Sequence, residues 1–169
     1  MHLLLKAGRA VGRTFMIGAA TMLALAALPP ATEDSKAGNV AVVVRMELPV
    51  DNLSFGEVRQ LLLGDRQFWT AGVRVTLLMR APAAREREVI LKTVYRMSET
   101  EFRRYWIEKV FRAEAPTGPR IVYSNEAATE LVGSILGAVA FVDANQVPKG
   151  LKVLRIDGRL PGDKGYPLH

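Results

Sequence analysis

Leu53-Ser-Phe-Gly-Glu-Val-Arg-Gln-Leu-Leu-Leu-Gly-Asp-Arg-Gln-Phe-Trp69 carries the clearest start and stop signals in the chain. Ser54 followed three residues later by Glu57 forms a capping box: the hydroxyl accepts from the Glu57 amide while the Glu57 carboxylate reaches back to the Ser54 amide. A helix therefore begins after Ser54. Leu53 and Val58 are placed to pack as a hydrophobic staple, and Phe55, Val58, Leu61 and Leu62 recur at helical spacing on one face. Gly64 supplies the left-handed residue that ends the helix. Trp69 lies in the exit turn and is read as a packing anchor rather than a ligand platform.

Working outward from this helix, the N-terminal segment is set aside first. Lys6, Arg9 and Arg13 precede the apolar run Thr14–Leu28, which holds the small-residue pattern Ala24-Leu25-Ala26. Residues 1–26 have the form of a signal peptide. The run is shorter than the roughly 20 apolar residues that a spanning helix needs, so cleavage is the first reading and an uncleaved anchor the second. Arg9 and Arg13 are not adjacent, which argues against a twin-arginine route. Without residues 1–26 the net charge falls from +6 to +3. That small excess, with no clustered basic patch, excludes nucleic acid as an expected partner. A membrane is expected as a partner only through the signal segment. The chain has no cysteine, and its two histidines are His2 and His169. No metal constellation, Ser-His-Asp triad, Cys-His pair or cofactor is implied, and Glu86 and Glu88 lie on neighbouring helix faces rather than on one. An enzyme is not expected.

Residues 27–39 read as a flexible leader rich in turn formers, and residues 40–158 as one α/β domain. Val40-Ala-Val-Val-Val-Arg-Met46 is a β-branched run with little alternation, as a strand covered on both faces would be. Together with the capped helix and a strand over Val73–Met79 it predicts a βαβ unit with a right-handed crossover. Ala83–Tyr95 reads as a helix with Ala83, Val89, Ile90 and Val94 inward, and Arg85, Glu86, Arg87 and Glu88 as its solvated face. A second capping box, Ser98 with Glu101, opens a helix to about Arg112. Its stripe Phe102, Tyr105, Trp106, Val110 and Phe111 is assigned to core or inter-helix packing. Arg120–Tyr123 is a short strand, Ser124 or Asn125 caps a helix to about Leu136, and Ala138–Val142 is a further strand. Gly133 and Gly137 form a G-x-x-x-G, but no 20-residue apolar span surrounds them, so a membrane dimer motif is a poor reading. A turn or short helix near Asp143–Val147 leads to a strand over Leu151–Ile156, and residues 159–169 read as an irregular tail.

Two pieces taken together resemble a known family: the capped helix ending in Leu-Leu-Gly followed by a Trp, and Ser124-Asn-Glu…Gly137-Ala-Val-Ala-Phe-Val142…Leu151-Lys-Val-Leu-Arg-Ile-Asp157-Gly158. They are similar to the substrate-binding component of bacterial phosphate ABC transporters, a type 2 periplasmic binding protein. The resemblance runs from Val40 to about Gly158 and implies a single lobe of that fold, a mostly parallel sheet of about five strands flanked by helices. It also implies a non-enzymatic, exported module in the periplasm, with phosphate or another small anion as ligand and an ABC permease or another periplasmic protein as partner.

Two departures from that family stand out. Its members close two lobes on the anion, whereas this length suits about one. In the family an arginine leads from a strand into a Ser-Gly-Thr turn at a helix N-terminus that holds the phosphate. Arg80 stands in the place of that arginine, but Ala84-Arg85-Glu86 replaces the Ser-Gly-Thr. A degenerate anion site is therefore expected, made of Arg80, the turn residues Ala83 and Ala84, and Ser124 and Asn125 at the next strand-to-helix turn, because ligands of open α/β sheets bind at the carboxyl ends of the strands. Against it stands a plain reading in which Arg80 is a strand-end surface arginine and Ser124 and Asn125 are helix caps. The alternative function is a ligand-free accessory or protein-interaction domain of the periplasm.

Overall fold

A five-stranded sheet organises the chain in a computed structural model that describes residues 38–169. The expected signal peptide and all but the last two residues of the expected leader lie outside the described residues. The strands are β1 (Val40–Arg45), β3 (Thr76–Arg80), β4 (Arg120–Val122), β5 (Ala138–Asp143) and β6 (Leu151–Val153), in the order β4-β3-β5-β1-β6. A two-stranded parallel sheet pairs β2 (Asn52–Leu53) with β7 (Arg155–Ile156). Leu151–Ile156 is thus divided between two sheets, with Leu154 fully buried at the break and its amide donating to the Val42 carbonyl.

Strand β3 runs parallel to both β4 and β5, while β1 is antiparallel to β5 and to β6. Four strands therefore point one way and β1 alone is reversed, so the sheet is mostly parallel. The expected βαβ unit from β1 to β3 does not form: these strands run in opposite directions with β5 between them. A continuous apolar run demands cover on both faces but says nothing about strand direction, which the partner strand sets.

Both faces of β1 are covered. Val40, Val42 and Val44 join one core with Leu61, Trp69, Ile90, Val94 and Trp106, whereas Ala41 and Val43 join a second with Leu78, Ala128, Val132 and Ala140. Period-two alternation on a strand sends successive side chains to opposite faces, and here both faces are dry. The first core lies under α1 (Phe55–Leu62), α2 (Arg85–Ile90) and α3 (Glu99–Phe111), the second under α4 (Asn125–Ser134).

Both capping boxes form as expected. In the first, the Glu57 amide donates to Ser54 Oγ at 3.2 Å and the Ser54 amide to Glu57 Oε2 at 2.8 Å; in the second, the Glu101 amide donates to Ser98 Oγ at 3.3 Å and the Ser98 amide to Glu101 Oε2 at 2.7 Å. Replacing Ser98 by alanine is expected to cost about 1 kcal/mol, read as a lower urea midpoint at unchanged slope. Gly64 takes φ +71° at the end of α1, and a Cβ there would meet the Trp106 ring at 2.6 Å. Trp69 is buried, and its indole N–H donates to the Gly137 carbonyl at 2.9 Å, the anchoring role expected of it.

Three local expectations are corrected. Ala83 is exposed and precedes α2 with φ +66°, so the helix starts only at Arg85; it continues as a π-helical turn, Leu91–Tyr95. Glu86 and Arg87 are buried rather than solvated, at 7% and 3% exposure. On α3, Phe102 and Trp106 face the core, but Phe111 is 90% exposed and Val110 is at the surface. At about 100° per residue, Phe111 lies nine positions and half a turn from Phe102, on the opposite face. Lys109, seven positions on, takes the inward place instead. Its stem is buried, and its Nζ reaches Asp65 Oδ1 at 2.5 Å and the Tyr105 hydroxyl at 3.2 Å.

The C-terminal residues contain no helix or sheet strand, yet they close the first core. Leu168 and Tyr166 are buried; the Val40 amide donates to the Leu168 carbonyl at 2.9 Å, and the Tyr166 hydroxyl donates to the Val40 carbonyl at 2.8 Å. Burial raises the Tyr166 phenol above its ordinary range. Truncation after Lys164 is expected to destabilise the fold by about 2 to 4 kcal/mol through the lost Leu168 and Tyr166 packing, measurable by thermal unfolding.

Candidate functional site

The carboxyl ends of β3 and β5 and the amino end of α4 meet around Arg80, the last residue of β3. In the turn Ala81–Ala84 two amides are engaged within the fold: that of Ala81 donates to the Val122 carbonyl at 2.8 Å, and that of Ala84 to the Ala81 carbonyl at 3.2 Å. Ala83 and Ala84 add only methyl groups, and Ala84, the N-cap of α2, makes no side-chain cap bond. Two of the five candidate residues thus bring no polar side chain to the rim.

Arg80 is mostly buried, and its partner comes from within the chain. Its Nε lies 3.4 Å from Glu86 Oε2, with the two side chains 12% and 9% exposed. Its Nη1 is buried without a hydrogen-bond partner. The other oxygen of Glu86 accepts from Asn125 Nδ2 at 3.4 Å, and that amide also donates to Gln146 Oε1 at 2.6 Å. Asn125 Oδ1 in turn accepts from the Asp143 amide at 3.5 Å. Arg80 and Asn125 are therefore brought together through a buried carboxylate that the sequence reading placed in solvent.

Ser124 caps α4, accepting from the Ala127 amide at 3.0 Å. The Glu126 carboxyl in the first turn is held below the usual carboxylate range by its own backbone amide, then by the Ser124 hydroxyl, with the charge of Arg80 adding to the effect. A helix N-terminus of this kind favours an anion through its unpaired amides and dipole. In this chain the anion already there is a carboxylate of α4 itself.

Arg87 braces the site from behind. Its Nη1 donates to the Arg80 carbonyl at 2.8 Å, its Nε and Nη2 form a fork on Glu99 with both contacts at 2.9 Å, and its guanidinium lies 4.6 Å from the Phe102 ring centre. Such a two-pronged, ring-stacked arginine orients the backbone at the end of β3. Glu86, Arg87 and Gln146 were not among the expected site residues. The signal for the first two was present in the spacing: Arg87, Leu91 and Val94 recur at i, i+4 and i+7, and Glu86 lies one turn before Ile90. Among the described residues, no group of three His, Cys, Asp or Glu side chains converges to hold a metal, and no helix is long and apolar enough to cross a membrane.

No protein-family model matches this chain, and no curated protein matches it by sequence. Solved structures do share its fold. They include an ABC-type phosphate transport receptor from Vibrio cholerae, with a TM-score of 0.60 and 20% identity over 73% of this chain and 48% of that one. PstS from Borrelia burgdorferi has a TM-score of 0.58 and 14% identity, covering 73% of this chain and 49% of that one. A structure from Clostridium perfringens, described as a phosphate ABC transporter substrate-binding protein with bound phosphate, has a TM-score of 0.58 and 14% identity over 72% and 46%. The chain spans about half the length of these structures. Its fold is the α/β fold of phosphate-receptor structures, covered over a part of their length.

Proposed function

We propose that this chain is a non-enzymatic, exported binding module of the phosphate-receptor type, working in the periplasm with a degenerate anion site. The observation that carries the reading is the contact of Glu86 with Arg80. The arginine that would face an anion at the end of β3 is turned to a carboxylate of the same chain, itself held by Asn125. An incoming oxyanion has to displace that carboxylate, and a buried carboxylate that loses its cation carries a heavy desolvation cost. The buried, unpartnered Nη1 of Arg80 would gain an acceptor once an oxyanion took the place of Glu86, and Ser124 lies at the neighbouring helix start. Weak binding of phosphate or a similar small anion follows, with an ABC permease or another periplasmic protein as the partner that uses it.

Calorimetric titration of the protein with phosphate and with sulfate tests this reading. A dissociation constant no tighter than about 1 mM, lost in Arg80→Ala, is the expected result. A constant below about 1 μM would contradict the degenerate site, and heats unchanged by Arg80→Ala would move the ligand elsewhere. Silence at ten times the higher concentration would leave the ligand-free interaction domain as the better description.

A further inference from the structure

Away from Arg80, at the opposite end of β3, lies a cavity of about 370 Å³ between the end of α1, residues 74–77 and the loop 115–120. Thr76 and Arg80 are four residues apart, so this cavity is about 13 Å along the strand from the site described above. Leu61, Leu77, Trp106 and Ala115 give it apolar walls, and Arg66, Arg74 and Arg120 stand around it with no acidic residue in the lining. Arg66 is matched by Glu57 at 3.0 Å. Among the described residues no carboxylate lies within ion-pair distance of Arg74 or Arg120, and Arg74 rests on the exposed ring of Phe68.

Trp106 and Gly118 are shared with a second depression of about 460 Å³ on α3, formed with Ile107, Val110 and Phe111. Ile107 is 70% exposed and Phe111 90% exposed. The two hollows adjoin at Trp106 and Gly118, and followed from one to the other they make a trench that is apolar along α3 and basic toward Arg74 and Arg120. A small molecule filling the cavity leaves Phe111 in water; an extended segment lying along the trench covers both.

We propose that this trench docks an extended polypeptide segment that carries apolar side chains followed by a carboxylate. The apolar side chains lie on Ile107, Val110 and Phe111, and the carboxylate enters the basic end, where Arg74 and Arg120 have no acid of their own. The charge complementarity sets direction and on-rate, and the aromatic contacts set affinity. This site is independent of the anion reading, since the side-chain partners of Arg80, Glu86 and Asn125 are one another, Gln146 and the Asp143 amide, none of which lines the trench.

Panning a random peptide library of about 12 residues on the immobilised protein tests it. Enriched sequences are expected to combine two or more apolar residues with Asp or Glu. Their affinity should fall at least about tenfold in Phe111→Ser and in the Arg74→Gln/Arg120→Gln pair, equivalent to about 1.4 kcal/mol. All three positions are exposed, so thermal unfolding of the variants should match that of the parent. No enrichment, enrichment without an acidic bias, or affinity that survives both sets of substitutions would overturn the proposal. Saturable binding of indole-3-propionate without peptide enrichment would assign the cavity to small carboxylates and overturn it equally.

Discussion

Replacing Gly137 by alanine is expected to remove about 3 kcal/mol or more of stability, since among the described glycines its added Cβ would make the shortest contact. A Cβ at Gly137 would lie 1.9 Å from the Arg74 carbonyl oxygen and 3.0 Å from its carbon, and backbone has no rotamer by which to yield. The same residue joins two elements through its own carbonyl, which accepts from the Thr76 amide at 2.9 Å and from the Trp69 indole at 2.9 Å. Relieving the clash means moving β5 from β3, which breaks both contacts and opens the core around Trp69. Gly133 is the control, because nothing lies within 4 Å of its built Cβ and it sits inside α4. Gly133→Ala should stabilise by up to about 1 kcal/mol through helix propensity. Urea unfolding of the two variants should therefore move the midpoint in opposite directions. A Gly137→Ala midpoint within error of the parent would show that β3 and β5 do not approach as described.

The second large effect belongs to Arg87. Truncation to alanine removes the fork on Glu99, the bond to the Arg80 carbonyl and the guanidinium over Phe102, at a cost of about 3 kcal/mol. Arg87→Met keeps the stem and its packing and is expected to cost less. A pH dependence separates lost charge from lost volume. The Arg87 guanidinium holds the Glu99 carboxyl below its ordinary value of 4.5, with Arg103 adding to the effect. A carboxyl whose folded pKa lies below its unfolded one contributes stability that is present above the unfolded value and lost as pH falls through the folded one. The parent should lose stability as pH falls below about 4.5, and Arg87→Met should lose less over that window. Parallel pH curves for the two would show that the Arg87–Glu99 fork contributes nothing through charge.

Much of this architecture is written in short-range patterns. Ser54 with Glu57, Ser98 with Glu101, the positive φ at Gly64 and the twice-covered run Val40–Val44 depend on neighbours or on strict periodicity, and each forms as its pattern implies. What escaped the sequence depends on partners far along the chain. The reversed direction of β1 is set by β5, about 100 residues away in sequence, and the burial of Tyr166 and Leu168 by their contacts with Val40. The candidate site shows the same divide. Arg80, Ser124 and Asn125 are legible because strand-to-helix turns announce themselves. Glu86 and Arg87 are hidden because charged residues are buried only when paired, and their partners Arg80, Asn125 and Glu99 come from other segments. A run of alternating charge at a helix start is ordinarily a solvated face. Here the spacing that turns Ile90, Leu91 and Val94 inward also carries Glu86 and Arg87 inward one turn earlier, against what their charge suggests.

The internal carboxylate on Arg80 is the centre of the functional reading, and Glu86→Gln probes it most directly. Glutamine keeps the shape and the contact with Asn125 while removing the charge that competes for the arginine. Calorimetric titration with phosphate should show that Glu86→Gln binds at least about tenfold more tightly than the parent, with the gain abolished when Arg80→Ala is added. Equal or weaker binding by Glu86→Gln in a variant that unfolds at the parent's temperature would mean that Glu86 does not occupy an anion's place, and the degenerate-site reading would fall.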